Sequence, residues 1–403
     1  MTPMPDAERR RERYLRHERA AGLEVDVLQA TRLVVVGAGA VGNEVVKNAA
    51  LLGVGRIDVH DFDTIERHNL TRSVFFRDAD VGRPKATTLA ERAGEVDPHV
   101  QVRAIEGDAW RTLTLQSLQG AGALIAAVDQ FEARMRLSQL AALAGVHFVS
   151  LGIDSRHASV ESFPYAQASQ AGADCACFEC HLPASAYRQV AARYSCGWLR
   201  RALWRDRTVP TTAITASVAG ALGVQAALRL GVAIDDPPVA VRQLIDTRSG
   251  QSTRSALARQ PDCPACGRWT RTPPRHPAGR TWRDGLTRAM HADAEAALLL
   301  SEALVFGAEC VACGPDAATS SMIGRRASDF DESAERCSRC GDRSVRLDLR
   351  TECTAADLID LSQRAGGARP PLKFAIVLDA AAPCCIDFED DGAAVPSSVS
   401  RSP

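Results

Sequence analysis

The segment Val34-Val-Val-Gly-Ala-Gly-Ala-Val-Gly42 limits what this chain can fold into more than any other stretch. An apolar run, Leu33 to Val36, enters three glycines, Gly37, Gly39 and Gly42, and then a helical pattern that ends near Leu52. Glycines at these spacings permit a tight turn, close approach of backbone to a phosphate, and tight packing of helix on strand. The first turn of the helix then presents free N–H groups to an anion. Such a strand–turn–helix implies a parallel sheet and a bound nucleotide. Alone it does not separate a dinucleotide from a nucleoside triphosphate.

The pattern around it alternates. Strands are expected at Leu33–Val36, Arg56–His60, Val100–Ile105, Leu124–Ala127 and Phe148–Gly152, with helical stretches near 42–52, 83–95, 112–119 and 131–144. Alternation of this kind gives an α/β layer with a largely parallel sheet, whose ligands sit at the carboxyl ends of the strands. Gly37, Asp61 and Asp129 all fall just past strand ends and should line one crevice. Beyond Ala158 the pattern turns antiparallel, with strands at Ser159–Phe163 and Ala240–Asp246 and a turn at Thr247-Arg-Ser-Gly250. The expected organisation is a helical arm (1–30), a nucleotide-binding domain (31–270) with a crossover segment (181–210), and a linker (271–283). A helical region near 284–305, a cysteine-rich module with a strand at Leu372–Val377 (284–388 together) and a disordered tail (389–403) follow.

Charge narrows the function. With 48 basic and 49 acidic residues the net charge is -1, so no global field draws the chain to nucleic acid or to an anionic membrane. The dense run Arg9, Arg10, Arg11, Arg13, Arg16 and Arg19 is interleaved with Glu8, Glu12 and Glu18, as on a solvated helix. No charged-then-apolar leader opens the sequence. The apolar stretch Ala213–Leu228 is short for a membrane span and reads as a buried helix, with Gly220 and Gly223 allowing close packing. A cytoplasmic address is expected. In that setting 13 cysteines favour metal over disulfides.

Eight of them form two sets. Cys177-x-x-Cys180 pairs with Cys263-x-x-Cys266, and Cys310-x-x-Cys313 with Cys337-x-x-Cys340. Four thiolates suit tetrahedral Zn²⁺ and leave no position for water, so both sets read as structural zinc sites rather than free core thiols. The first would clamp the end of the main domain to its middle.

Close to the glycine segment lie Asp61-Phe-Asp63, Asn69-Leu-Thr-Arg72 and Gly82-Arg-Pro-Lys85. With Arg13-Tyr-Leu-Arg16, Asp129 and the first cysteine set, they make residues 10 to 270 resemble the ubiquitin-activating-enzyme-like adenylyltransferases, the sulfur-carrier activators of thiamine and molybdopterin synthesis in particular. The resemblance does not extend to residues 271–403. It implies a Rossmann-like fold with an antiparallel extension. The implied reaction is ATP-dependent adenylation of the C-terminal carboxylate of a ubiquitin-like or sulfur-carrier protein, or of a peptide.

The residue types suit that chemistry, which needs positioning and charge neutralisation more than proton transfer. Asp61 can accept from the ribose hydroxyls. Arg72 and Lys85 can neutralise phosphate oxygens, Asn69 can hydrogen-bond a phosphate, and Asp129 can hold Mg²⁺. Arg16, by the family pattern, reaches the site of a neighbouring subunit, which implies a homodimer. Each has a plainer reading: Asp61 serves NAD equally well, Arg72 and Lys85 are surface charges, Asp63 is a turn residue, and Asp129 caps the helix beginning near Phe131. An NAD-dependent oxidoreductase and a catalytically silent scaffold of the same fold are the alternatives.

The pattern also departs from its relatives. Many carry a cysteine just before the helix that starts at Ala213, as thioester or persulfide acceptor. Here Val209-Pro-Thr-Thr212 occupies that place, and Arg205 to Thr208 contain no cysteine. Cys196, near Arg193, Arg200 and Arg201, is the remaining candidate nucleophile or else a spectator. Gln130 stands where an asparagine often follows the aspartate. The C-terminal zinc-ribbon-like module reads as a docking surface for the carrier or for a downstream acceptor. Its arginines, Arg325 and Arg336 among them, are balanced by acids, which leaves nucleic-acid binding unsupported.

Overall fold

The structure is a computed structural model. It describes residues 6–19, 24–166, 175–188, 210–231, 239–267, 275–277, 283, 286, 296–330, 332–378 and 384–388. The chain divides near Gly267 into two compact units. The first carries the helices α1 (Asp6–Tyr14), α2 (Val25–Ala30), α3 (Ala40–Leu52), α4 (Lys85–Val96), α5 (Ala109–Thr112), α6 (Phe131–Ala144) and α7 (Ala213–Gly231). Its strands are β1 (Arg32–Val36), β2 (Arg56–Asp61), β3 (Gln101–Glu106), β4 (Ala123–Ala126), β5 (His147–Ile153), β6 (His157–Phe163), β7 (Ala240–Asp246) and β8 (Ser252–Leu257).

All eight strands form one sheet in the order β3-β2-β1-β4-β5-β6-β7-β8. From β3 to β5 the pairing is parallel; from β5 to β8 it is antiparallel. The strand order reverses between β1 and β4, and the crevice at such a switch point is where an open α/β sheet binds its ligand. Runs such as Leu33–Val36 are apolar and buried because helices cover both faces of the parallel part.

On one face, α3, α4 and α7 share a core with β1, β2 and β5 that includes Val45, Val46, Leu89, Ile57, Val149 and Val224. Two glycines let α7 come close: a Cβ at Gly220 would overlap the Glu44 side chain on α3, and one at Gly223 would stand 2.7 Å from Leu151 on β5. Among the described residues α7 alone is long and apolar enough to cross a membrane. In the fold it lies against α3, β4, β5 and β6. The expected buried helix is buried on one face only, since Ala213, Ile214, Ala221, Gln225 and Arg229 are exposed. On the other face of the sheet, Phe148, Phe163 and Tyr165 stack in sequence with ring centroids 5.8 Å apart, and Phe178 meets the first two edge-on.

The expected helix at 112–119 is replaced by α5 followed by turns. There Thr114 and Ser117 exchange backbone-to-hydroxyl hydrogen bonds at 2.8 Å, a local alternative to the helical ladder.

The second unit holds a five-stranded sheet, β11-β10-β12-β13-β9, built from β9 (Arg275–Pro277), β10 (Ala297–Cys310), β11 (Val345–Thr354), β12 (Phe374–Val377) and β13 (Cys384–Asp387), with a single-turn helix at Ala317–Ser320 and the longer helix α8 (Ala355–Arg364). Two expectations are corrected here. Arg275–Pro277 lies inside the stretch read as a linker, yet pairs parallel with β13. The residues from Ala297 onward, read as helical, form the 14-residue strand β10. Leu299 pairs with Glu352 whereas Leu304 pairs with Arg350, so a bulge adds residues to β10 and breaks its period of two. Helix formers such as Ala297, Leu298 and Leu299 are overridden by pairing on both sides. The tail beyond Phe388 and most of the 181–210 crossover lie outside the described residues.

Candidate nucleotide site and cysteine clusters

Gly37 ends β1 in the left-handed region, at φ 100°, and its N–H donates to the His60 carbonyl on β2 at 2.9 Å. A Cβ at this position would overlap the carbonyl oxygen of Ala127, just past β4, and one at Gly42 would overlap the carbonyl of Gly37 itself. Both glycines are therefore dictated by crowding, and the loops after β1 and β4 touch. Gly39 is the N-cap of α3, and a Cβ there would meet nothing within 4 Å, so the space over the helix N-terminus is open.

Asp61, at the end of β2, turns its carboxylate back to this loop. Oδ2 accepts from the Ala38 N–H at 2.6 Å and Oδ1 from the Asp63 N–H at 2.7 Å. Burial raises its pKa, an effect the two backbone donors and the Lys85 charge partly oppose. Each oxygen keeps a lone pair for a further donor. Asp63 is not a bare turn residue: its carboxylate pairs with Lys85 Nζ at 2.8 Å, and its carbonyl accepts from the Lys85 N–H at 2.9 Å. Lys85 is largely buried at the start of α4, and its ammonium is thereby held beside Asp61.

Asn69 is buried and partly committed, since its Oδ1 accepts from the Glu66 N–H at 2.9 Å and only the amide nitrogen remains for a phosphate. Arg72 is half-buried and donates through Nη1 to the His68 carbonyl at 3.0 Å. Asp129 follows β4 and is exposed; its carboxylate accepts no hydrogen bond among the described residues. It does not cap α6, whose N-cap is Gln130. Its charge acts on Arg134, and an exposed carboxylate beside the glycine loop fits an ion such as Mg²⁺, which takes one or two carboxylates plus phosphate oxygens. Arg16 is exposed in the turn after α1. Cys196 lies outside the described residues.

Two residues that the sequence did not single out organise this crevice. Asn43, fully buried on α3, donates through Nδ2 to the carbonyls of Ala38 at 2.8 Å and Gly39 at 3.0 Å, while Oδ1 accepts from the Phe75 N–H at 3.0 Å. It ties the glycine loop to the segment that carries Arg72. An amide in the first turn of the helix that follows the glycine loop was its visible signal. Arg134, half-buried on α6, donates to Ser150 Oγ at 2.7 Å and to the carbonyl of Val128 at 2.5 Å, directly before Asp129.

Both cysteine sets close in space. In the first, Cys177 Sγ lies 3.8 Å from Cys180 and 3.6 Å from Cys263, and Cys180 lies 3.5 Å from Cys266. Four sulfurs 2.3 Å from a tetrahedral zinc stand about 3.8 Å from one another. In the second, Cys310 and Cys340 are 3.8 Å apart, and all four sulfurs lie within 4.8 Å of one another. The donor chemistry and spacing of both sets fit a bound zinc.

The profile of the ThiF family matches residues 13–265. The SAMP-activating enzyme E1 of Haloferax volcanii is 28% identical over 246 residues, covering 60% of this chain and 82% of that protein. The sulfur carrier protein adenylyltransferase of Thermus thermophilus is 28% identical over 240 residues, covering 60% and 83%. Among solved structures, E. coli MccB with MccA-N7isoASN matches 64% of this chain and 74% of its own at 20% identity, with a TM-score of 0.50, a likeness of fold. With the glycine loop, the switch-point crevice and Cys177, Cys180 and Cys263 of the first cysteine set inside the matched span, the chain belongs to the ThiF family.

Proposed function

We propose that this protein adenylates the C-terminal carboxylate of a ubiquitin-like or sulfur-carrier protein, or of a peptide, at the expense of ATP. The carboxylate oxygen attacks the α-phosphorus, the bond to the β-phosphate oxygen breaks, and pyrophosphate leaves with the electron pair; an acyl-adenylate remains. The names of the two relatives, an activating enzyme and a sulfur carrier protein adenylyltransferase, support this reaction class.

The observation that carries it is the Asp63–Lys85 pair. It holds an ammonium beside Asp61, whose Oδ2 accepts from the glycine loop before α3. A triphosphate, with more negative charge than the pyrophosphate of NAD, gives that cation a partner. In the proposed reaction Gly37, Gly39 and Gly42 let the backbone meet the phosphates, and Asp61 accepts from the ribose. Lys85 and Arg72 balance charge that grows on the departing phosphates, and the Asn69 amide nitrogen donates to a phosphate oxygen. Mg²⁺ held by Asp129 would neutralise phosphate charge. Arg16 is assigned to a neighbouring subunit's site, so the working form is a homodimer. Cys177, Cys180, Cys263 and Cys266 hold one structural zinc, and Cys310, Cys313, Cys337 and Cys340 a second. Cys196 is the candidate acceptor of the activated carboxyl, and the second unit is the candidate docking place for the downstream acceptor, in the cytoplasm.

Calorimetric titration with Mg·ATP, and separately with NAD, tests the reading. Magnesium-dependent ATP binding that Asp129→Ala abolishes is expected. NAD binding without ATP binding would overturn it.

A further inference from the structure

The sequence of α1, Asp-Ala-Glu-Arg-Arg-Arg-Glu-Arg-Tyr, is almost entirely charged, and a nine-residue helix does not hold itself in water. What holds it is its last residue. Tyr14 is 2% exposed, and its hydroxyl donates to Asp97 Oδ2 at 2.5 Å. Arg13 Nε donates to the same oxygen at 2.8 Å, and another Arg13 nitrogen donates to the carbonyl of Val96. Asp97 is fully buried at the C-terminus of α4, and its second oxygen accepts from the His99 N–H at 2.9 Å. Burial first, and the Asp97 carboxylate second, hold the Tyr14 hydroxyl in its protonated, donating form. The ring lies on Gly53, the left-handed residue that ends α3, where a Cβ would stand 2.5 Å from the ring edge.

These contacts fix the arm at the C-terminal ends of α3 and α4. The glycine loop is at the other end of α3, about 20 Å away at 1.5 Å per residue over the helix length. Arg16 sits two residues past Tyr14, a span of at most about 7 Å. The turn that carries it is tethered to the same residue, because the N–H groups of His17 and Glu18 both donate to the Tyr14 carbonyl, at 2.8 and 3.2 Å. Arg16 therefore leaves the fold at the C-terminal ends of α3 and α4, the end opposite its own nucleotide loop.

We infer that the Tyr14–Asp97–Gly53 contact is a latch that positions Arg16 for the nucleotide of a neighbouring subunit. This rests on the trans role of Arg16 proposed above. Tyr14 and Asp97 are positioning residues: they touch no nucleotide, and they serve a site that is not in their own chain.

Mixed dimers test it. The full chain is co-expressed as two differently tagged forms, tandem-purified, and titrated with Mg·ATP by calorimetry. A Tyr14→Ala homodimer should keep its cooperative melting transition and bind Mg·ATP about tenfold to a hundredfold more weakly, as an Arg16→Ala homodimer should. Paired with an Asp129→Ala subunit, whose arm is intact, each should regain one tight site per dimer. Rescue of Arg16→Ala but not of Tyr14→Ala makes Tyr14 a support of its own subunit and overturns the latch. Wild-type affinity in the Tyr14→Ala homodimer overturns it as well. Failure to rescue Arg16→Ala removes the trans arginine itself, and the latch falls with it. Asp97→Asn, which keeps the side-chain shape, runs in parallel and decides the matter if Tyr14→Ala does not fold.

Discussion

At the scale of single residues, the crevice is built by groups that act on each other before any ligand is present. Asp61 accepts from the backbone of the loop it faces, and Lys85 is oriented by Asp63 rather than by a phosphate. Crowding is as decisive as charge. Because a Cβ at Gly42 would overlap the Gly37 carbonyl, Gly42→Ala should lower unfolding stability by about 1–3 kcal/mol and abolish calorimetric Mg·ATP binding. Undiminished affinity would mean the loop does not carry the phosphates. Two buried histidines set the acid limit. His60 and His147 are both held down to about 4, chiefly by desolvation, so the native state keeps them neutral while the unfolded chain protonates them. Between pH 6.5 and about 4 the unfolded state binds more protons, and stability falls with pH by up to about 3 kcal/mol per histidine. Urea melts from pH 7 to 4.5 should show that slope, and His60→Asn should remove close to half of it. An equal slope in the variant would assign the acid loss to other groups.

At the scale of elements, what could be read in the sequence depended on how local its cause was. The strands β1, β2, β4 and β5 and the helices α3, α4 and α6 were legible because each joins a short apolar run to a glycine or an amphipathic period. The zinc-type cysteine sets were legible because their pairing is written in spacing. The same holds for Gly37, Asp61 and Asp129, which follow strand ends. Illegible features had distant causes. Strand β10 looks helical because its bulge spoils the period of two, and only its partners β11 and β12 make it extended. Asp63 gave no sign of its bond to Lys85, nor Asn43 of its hold on Phe75, because those partners are fixed only once the chain has folded. The approach of α7 to α3 was foreseeable from Gly220, and it makes a prediction for that element. Gly220→Ala should push α7 off Glu44 and cost about 1–3 kcal/mol in denaturant melts, without touching a nucleotide ligand. A neutral outcome would show that the two helices yield rather than clash.

At the scale of the whole molecule, the two units divide the chemistry. Every residue assigned to ATP lies before Gly267, as does the first cysteine set, which ties the segment after β8 to the one after β6. The second set belongs to the other unit, where it closes around Cys310, Val345 and Cys337 in a small core of its own. That core is too small to stand on apolar burial alone, so zinc there should supply much of the local folding energy. The division makes the two clusters separable. Metal analysis should find two zinc ions per chain, and Cys337→Ser should remove one while leaving Mg·ATP affinity at the wild-type value. Cys263→Ser should also remove one, but it loosens the unit that holds the nucleotide and should lower both its melting temperature and its Mg·ATP affinity. If Cys337→Ser weakened ATP binding as much as Cys263→Ser, the second unit would have to belong to the catalytic machinery rather than to whatever the enzyme docks.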